Sequence, residues 1–202
     1  MPFNVSTFAA QGLPYGGARA SLFEVFLTLP AGIAEAAAQS QFRFVCKASS
    51  IPASTLGTVE VPYFGRKVKM AGNRTFDNWS VTVMNDEDFL VRNAFEKWSS
   101  FINSHENNLR NPSTIGEQGL AAYRTTATVR HYAKTGMFAG GTSAGDAAMP
   151  TREYTFVNIF PTSVSNIDLS WETTDSIEEF TVEFAYDYWT VDNDVNGKVI
   201  ID

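Results

Sequence analysis

The sequence predicts a mostly β fold, a β-sandwich or partly closed β-barrel with one packed α-helix. Stretches that alternate apolar and polar residues recur along the chain, at 76–84, 123–133 and 180–189. Only one long stretch, 91–102, repeats apolar residues at three- and four-residue spacing. Strand-like and helix-like segments also lack the βαβ rhythm of a parallel sheet.

The first strand is expected within 19–29, where Phe23, Val25, Leu27 and Leu29 share a face before Pro30 and Gly32 stop it. The alanine-rich 33–38 reads as a helical turn at best, and 42–47 as a second strand with Cys46 as a small buried apolar residue. Next comes a ribbon, 58–61 and 64–71, joined around Pro62 and punctuated by Gly57, Gly65 and Gly72. Pro62 has no N–H to give to a ladder, so the ribbon lies at a sheet edge or reaches off the body of the domain. Arg66, Lys67 and Lys69 guard it against indiscriminate strand pairing while admitting an acidic partner.

In 76–84 the alternation of Trp79, Val81 and Val83 with Ser80 and Thr82 predicts a half-buried strand. Asn85, Asp86, Glu87 and Asp88 are expected to cap the helix that follows and to fill its first turn, where carboxylates suit the unpaired amides. In that helix Val91, Ala94, Phe95, Trp98, Phe101 and Ile102 face a core while Arg92, Glu96 and Lys97 stay in water. Residues 105–119 read as a loop, 123–133 and 152–160 as strands, with Pro161 ending the latter, and 180–189 as a further strand. The expected organisation is a single domain over 1–189, with an N-terminal arm at 1–18, a flexible Gly- and Ala-rich loop at 134–150 and an acidic tail at 190–202.

At 202 residues the chain can bury roughly 70% of its unfolded surface without staples, and a lone cysteine can form no internal disulfide. No segment approaches the roughly 20 apolar residues of a membrane span, and the first residues lack signal-peptide character, so a soluble protein made in the cytoplasm is expected. The net charge of −7 opposes a grip on nucleic-acid phosphates, yet an acidic wall lets DNA slide past.

No catalytic set is complete. Gly141, Ser143 and Gly145 match a nucleophile elbow, but the strand and helix that the elbow needs are missing and both histidines, His105 and His131, precede Ser143. The glycine spacing of 136–143 resembles a phosphate loop with Thr142 where the lysine should stand. Asp192, Asp194, Asn196 and Gly197 open like a calcium loop that then lacks its bidentate Glu. Capping accounts for Asp86, Glu87 and Asp88 without a metal. No cofactor and no metal are expected, and no enzyme activity.

The segment TVEVPYFGRKVKMAG, followed by RTFDNWSVTVMNDEDFLVRNAFEKW and later by YTFVNIFPTSVSNIDLSWETTDSIEEFTVEFAYDYW, resembles the tail tube proteins of contractile-tailed, T-even-like bacteriophages. The resemblance implies a structural virion protein of the tail, made in the host cytoplasm. Its subunits would form hexameric rings stacked into a β-lined tube through which DNA passes without specific binding. It also implies tail sheath, baseplate and tape-measure proteins as partners, and a long protruding hairpin used in subunit contacts. Carried onto this chain, that role falls on the ribbon 58–72, with Pro62, Tyr63, Phe64, Gly65, Arg66, Lys67 and Lys69 as the candidate contact residues and Tyr63, Phe64 and Arg66 leading them. The alternative is the tube of a DNA-free contractile injection or bacteriocin-like particle.

Overall fold

The computed structural model describes residues 8, 11, 13, 17–33, 35–132, 150–172 and 174–192. The Gly-rich stretch with Ser143, the calcium-like residues beyond Asp192 and most of the N-terminal arm lie outside the described residues. Strands β1 (Phe23–Leu27), β2 (Cys46–Ser49), β5 (Trp79–Met84), β6 (Thr125–Tyr132), β7 (Pro150–Val164) and β8 (Glu179–Ala185) form a sheet in the order β1-β6-β7-β8-β5-β2, and β9 (Tyr188–Asp192) also pairs with β7. The class is mostly β, as expected. The path from β1 to β2 is open, and no pairing among the described residues closes it into a barrel. Strands β3 (Ser54–Tyr63) and β4 (Arg66–Phe76) form a separate two-stranded sheet.

Three α-helices accompany the sheet among the described residues, where the sequence had suggested one: α1 (Ala36–Val45), α2 (Leu90–Ile102) and α3 (Gly116–Tyr123). The strand expected at 42–47 is a correction in kind, because its first four residues finish α1. A short apolar run fits either period. Here the alanines favour helix, and Ala38 and Phe42, four residues apart, bury one stripe. Phe42 meets Phe95 of α2 edge-on at 5.7 Å, whereas Phe44 is left exposed. Residues 112–114 form a 3₁₀ turn capped by Asn111, whose Oδ1 accepts the Ser113 N–H at 3.0 Å, and α3 follows it within the stretch read as loop. Gly119 is required there, since a Cβ would sit 2.3 Å from the Thr114 carbonyl carbon.

Contacts group the chain into two compact units, one of residues 25–128 with 155–189, the other of 1–24, 129–154 and 190–202. In the larger unit, β5 and β8 pair with Trp79 opposite Phe184, Val81 opposite Val182 and Val83 opposite Phe180, so the alternating residues of both strands bury one continuous face. Val91, Ala94, Phe95 and Trp98 of α2 supply buried residues to the same core. Phe95 meets Phe184 edge-on at 5.7 Å, and Trp79 stacks on Phe156 at 4.6 Å. Such pairs contribute about 0.5–1.5 kcal/mol each beyond the area they bury. Both buried indoles have partners: Trp98 Nε1 donates to the Tyr123 carbonyl at 2.8 Å and Trp79 Nε1 to Ser49 Oγ at 3.0 Å.

The start of α2 departs from the expected capping. Phe89 occupies the N-cap with φ 52°, no side chain caps the helix, and its first turn holds no acid. Asp86 instead closes the preceding turn, with its Oδ1 accepting the Glu87 N–H and its carbonyl the Phe89 N–H. Arg92 is also less wet than its position implies. Its guanidinium lies 5.3 Å from the Phe180 ring centroid and donates to the Ser165 carbonyl and to Glu96.

Strand β7 runs through Pro161 instead of ending there. Its pairing with β8 slips between Pro161 and Ser163, and a bulge is where a residue without an N–H can sit inside a ladder. Asn158, with φ 59°, marks a second irregularity, held by its side-chain N–H donation to Asp187 at 2.7 Å. The alternation of 180–189 is broken at Tyr186 and Asp187, between β8 and β9.

In the smaller unit, Tyr132 donates its hydroxyl to Glu24 at 2.6 Å, Arg130 pairs with Glu153 at 2.8 Å, and Thr151 donates to the His131 carbonyl at 2.7 Å. Among the described residues no helix is long and apolar enough to cross a membrane.

Two measurements check this core. Trp98→Phe keeps an aromatic ring but orphans the Tyr123 carbonyl, and should lower unfolding free energy by about 1–3 kcal/mol in urea melts, against about 3–5 kcal/mol for Trp98→Ala. Burial pushes the half-buried Cys46 thiol up to about 12. Iodoacetamide at about pH 8.5 should therefore label the folded protein at least roughly a hundredfold more slowly than the urea-unfolded chain, because the thiolate is the nucleophile.

Candidate subunit interface

Residues 54–76 place all seven sequence-selected residues on one hairpin. The ladder is continuous from Thr58 opposite Ala71 to Tyr63 opposite Arg66, so the turn is Phe64-Gly65 and Pro62 lies inside β3 opposite Lys67. Both turn residues have positive φ, 43° at Phe64 and 79° at Gly65. Positive φ at both central positions is the twist-matched two-residue hairpin turn, whose usual sequences are Asn-Gly and Asp-Gly. Gly65 suits it. Phe64 does not, since a bulky side chain in the left-handed region costs about 1–2 kcal/mol. Nor does burial compensate within the monomer, for Phe64 is 91% exposed. Its ring contacts only Tyr63 among the described aromatic pairs, edge-on at 4.7 Å.

The register sorts the hairpin into two faces. Cross-strand partners share a face, so Val59 with Met70, Val61 with Val68, and Tyr63 with Arg66 make one, while Thr58 with Ala71, Glu60 with Lys69, and Pro62 with Lys67 make the other. Apart from Arg66 at the tip the first face is apolar, and it is exposed throughout. The second is charged, with Lys67 Nζ paired to Glu60 Oε2 at 2.7 Å. A ribbon of this kind buries neither face in its own monomer, and exposed apolar patches of such extent mark interaction sites.

At its base the ladder is bulged. Leu56 pairs with Arg74 but Thr58 with Ala71, so Gly57 faces Gly72 and Asn73. A Cβ on Gly57 would come within 3.1 Å of the Asn73 carbonyl oxygen, and one on Gly72 within 3.1 Å of the Gly57 carbonyl group. The two glycines permit the backbones to approach where the extra residue increases local twist.

Val59, Val61, Val68 and Met70 lie within the ribbon that the family resemblance implicated but were not singled out by sequence reasoning. Their signal is the alternation of Val59, Val61 and Tyr63 with Glu60 and Pro62, and of Val68 and Met70 with Lys67 and Lys69. It becomes legible once the turn moves from Pro62 to Phe64-Gly65. Elsewhere, no group of three or more His, Cys, Asp or Glu that could hold a metal ion occurs among the described residues.

Residues 18–192 match the family described as phage tail tube protein. The chain belongs to this family. The match to the tail tube family takes in every element from β1 to β9, the hairpin included. The tail tube protein gp19 of Enterobacteria phage T4 is 36% identical over 148 residues, covering 73% of this chain and 80% of that protein. The tail tube protein of Serratia phage KSP90 is 25% identical over 154 residues, covering 75% and 77%. Among solved structures, the anti-feeding prophage cap, a tube terminating cap, shares the fold with a TM-score of 0.56 at 16% identity, covering 88% of this chain and 91% of that one. The chain is thus a tail tube protein whose projecting hairpin carries an unburied apolar face.

Substituting the turn separates backbone cost from side-chain role. Phe64→Asn should slow hydrogen exchange of the hairpin amides by about three- to tenfold in the monomer, because Asn tolerates positive φ. Gly65→Val should speed it by a similar factor, since a β-branched residue there is strained.

Proposed function

We propose that this chain is the repeating subunit of the tube of a contractile phage tail, and that copies join through the hairpin β3–β4 into hexameric rings that stack around a channel. The observation that carries this reading is the apolar hairpin face, exposed from Val59 to Tyr63 and from Arg66 to Met70 in a member of the tail tube family. Unpaired sheet edges and exposed apolar ribbons invite aggregation unless assembly covers them, and a head-to-tail contact closes into a ring or propagates as a filament. Pro62, Tyr63, Phe64, Gly65, Arg66, Lys67 and Lys69 contribute to this contact, with Val59, Val61, Val68 and Met70 supplying its apolar part.

The role is structural, without catalysis. DNA passes along the channel unbound, which the net charge of −7 favours, because a strong phosphate grip needs rows of Lys and Arg. The sheath around the tube, the baseplate at its end and the tape measure within it are the further partners, and the virion tail is the location.

Negative-stain microscopy of the purified chain should show tubes or rings. Tyr63→Ser with Phe64→Ser, and separately Val61→Asp, should leave a protein with unchanged far-UV circular dichroism that sediments as a monomer. Wild-type-like tubes from both variants would remove the hairpin from the contact.

A further inference from the structure

Residues 165–178, which join β7 to β8, carry a second group of large exposed apolar side chains. Leu169 and Ile177 are mostly exposed, and Trp171 is entirely so. The segment is tied down at its base: Thr181 and Ser165 exchange backbone and hydroxyl hydrogen bonds, Arg92 donates to the Ser165 carbonyl, and Asn85 donates to Glu178 at 3.1 Å. Above that base Asn166 donates to Asp168, and the Glu172 N–H to Ser170 Oγ. A polar scaffold thus presents an indole to water, an arrangement that burial in the monomer does not explain and that suits an interface anchor.

Charge indicates the partner. Asp168, Glu172, Asp175, Glu178 and Glu179 stand in 165–179 without a Lys or Arg, whereas 54–76 holds Arg66, Lys67, Lys69 and Arg74 against Glu60 alone. Among the described residues Glu172 and Asp175 have no cation within ion-pair distance, and Arg66, Lys69 and Arg74 have no carboxylate. Apolar area matches apolar area as well, Trp171 and Leu169 on one side and Val59, Val61, Val68 and Met70 on the other. An acidic loop repels nucleic acid and anionic lipid alike.

Strand register prevents the two surfaces from being neighbours at one end of the sheet. In the antiparallel β5–β8 pair, Trp79 lies opposite Phe184 and Met84 opposite Glu179. The hairpin enters β5 at the Trp79 end, and the loop enters β8 at the Glu179 end. Complementary surfaces leaving opposite ends of one strand pair are the condition for a head-to-tail contact between copies.

We propose that the 165–178 loop of one copy docks on the β3–β4 hairpin of a second copy, with Trp171 and Leu169 against its apolar face, and Glu172 and Asp175 beside Arg66 on that face and within reach of Lys69, which extends past the edge of the ribbon from the other face. The contact rests on the tube-subunit reading above and names the surface that meets the hairpin. Indole and guanidinium are also suited to stack, adding a cation–π term to the apolar burial.

A charge swap on the full chain tests it. Glu172→Lys with Asp175→Lys, and separately Arg66→Glu with Lys69→Glu, should each raise the critical concentration for tube formation by about tenfold or more, read by sedimentation and microscopy. All four changes together should return it to within about threefold of wild type. In a Cys46→Ser background, Trp171→Cys with Val61→Cys should form intermolecular disulfides in assembled tubes. Wild-type tubes accompanied by normal assembly of every variant, or by double variants that the swap does not rescue, or by tubes lacking the cross-link, would overturn the contact and leave the tube reading standing. A wild-type chain that stays monomeric would overturn both.

Discussion

The buried face shared by β5, β8 and α2 is the constraint on which the other elements depend. Trp79, Val81 and Val83 can be inward together only in strand, and Val91, Ala94, Phe95 and Trp98 only in helix. Their contact fixes the relative placement of a strand pair and a helix, and α1 and α3 then attach through that helix's own residues. Phe42 rests on Phe95, and the Trp98 indole reaches the last residue of α3. Within this unit the hairpin is the exception. It leaves the strands of the core and takes almost no side chain with it into the interior.

What the sequence disclosed follows from which signals are local. The alternation of β5 and β8 and the stripe of α2 survive because both elements are half-buried and each residue's face is set by its own period. Phe42 to Val45 failed for the converse reason: four residues cannot display a period, and the helix is decided by its alanines and by Phe95, far away in sequence. Pro161 was read as a terminator because a ladder rejects it, yet the slip in register beside it removes the objection. Asp86 to Asp88 looked like a cap because carboxylates before an apolar stripe usually are one. The left-handed Phe89 inserts a turn between them and the helix, and no residue type announces that.

The candidate interface was half legible. Pro62 and the cations identified an exposed ribbon, and the hairpin bears this out. Its apolar face was hidden by two residues of error in the turn, because cross-strand partners are defined only once the turn is placed. Phe-Gly is a poor statistical signal for a two-residue turn. That poverty is informative after the fact: a residue unsuited to its backbone and unburied by its own chain is what the proposed subunit contact would account for.

The paired glycines at the hairpin's base turn geometry into leverage. From Thr58 to the tip at Phe64 the ribbon extends roughly 20 Å at a strand's rise per residue. A change of about 10° in its direction at the bulge therefore carries the tip through roughly 3–4 Å, comparable to the size of a side chain. With backbone against backbone at Gly57 and Gly72, the angle is set where the arm is shortest and error is most amplified. A methyl group added at that point would act at a distance, leaving every side chain of the ribbon chemically intact while turning the whole ribbon to a new direction.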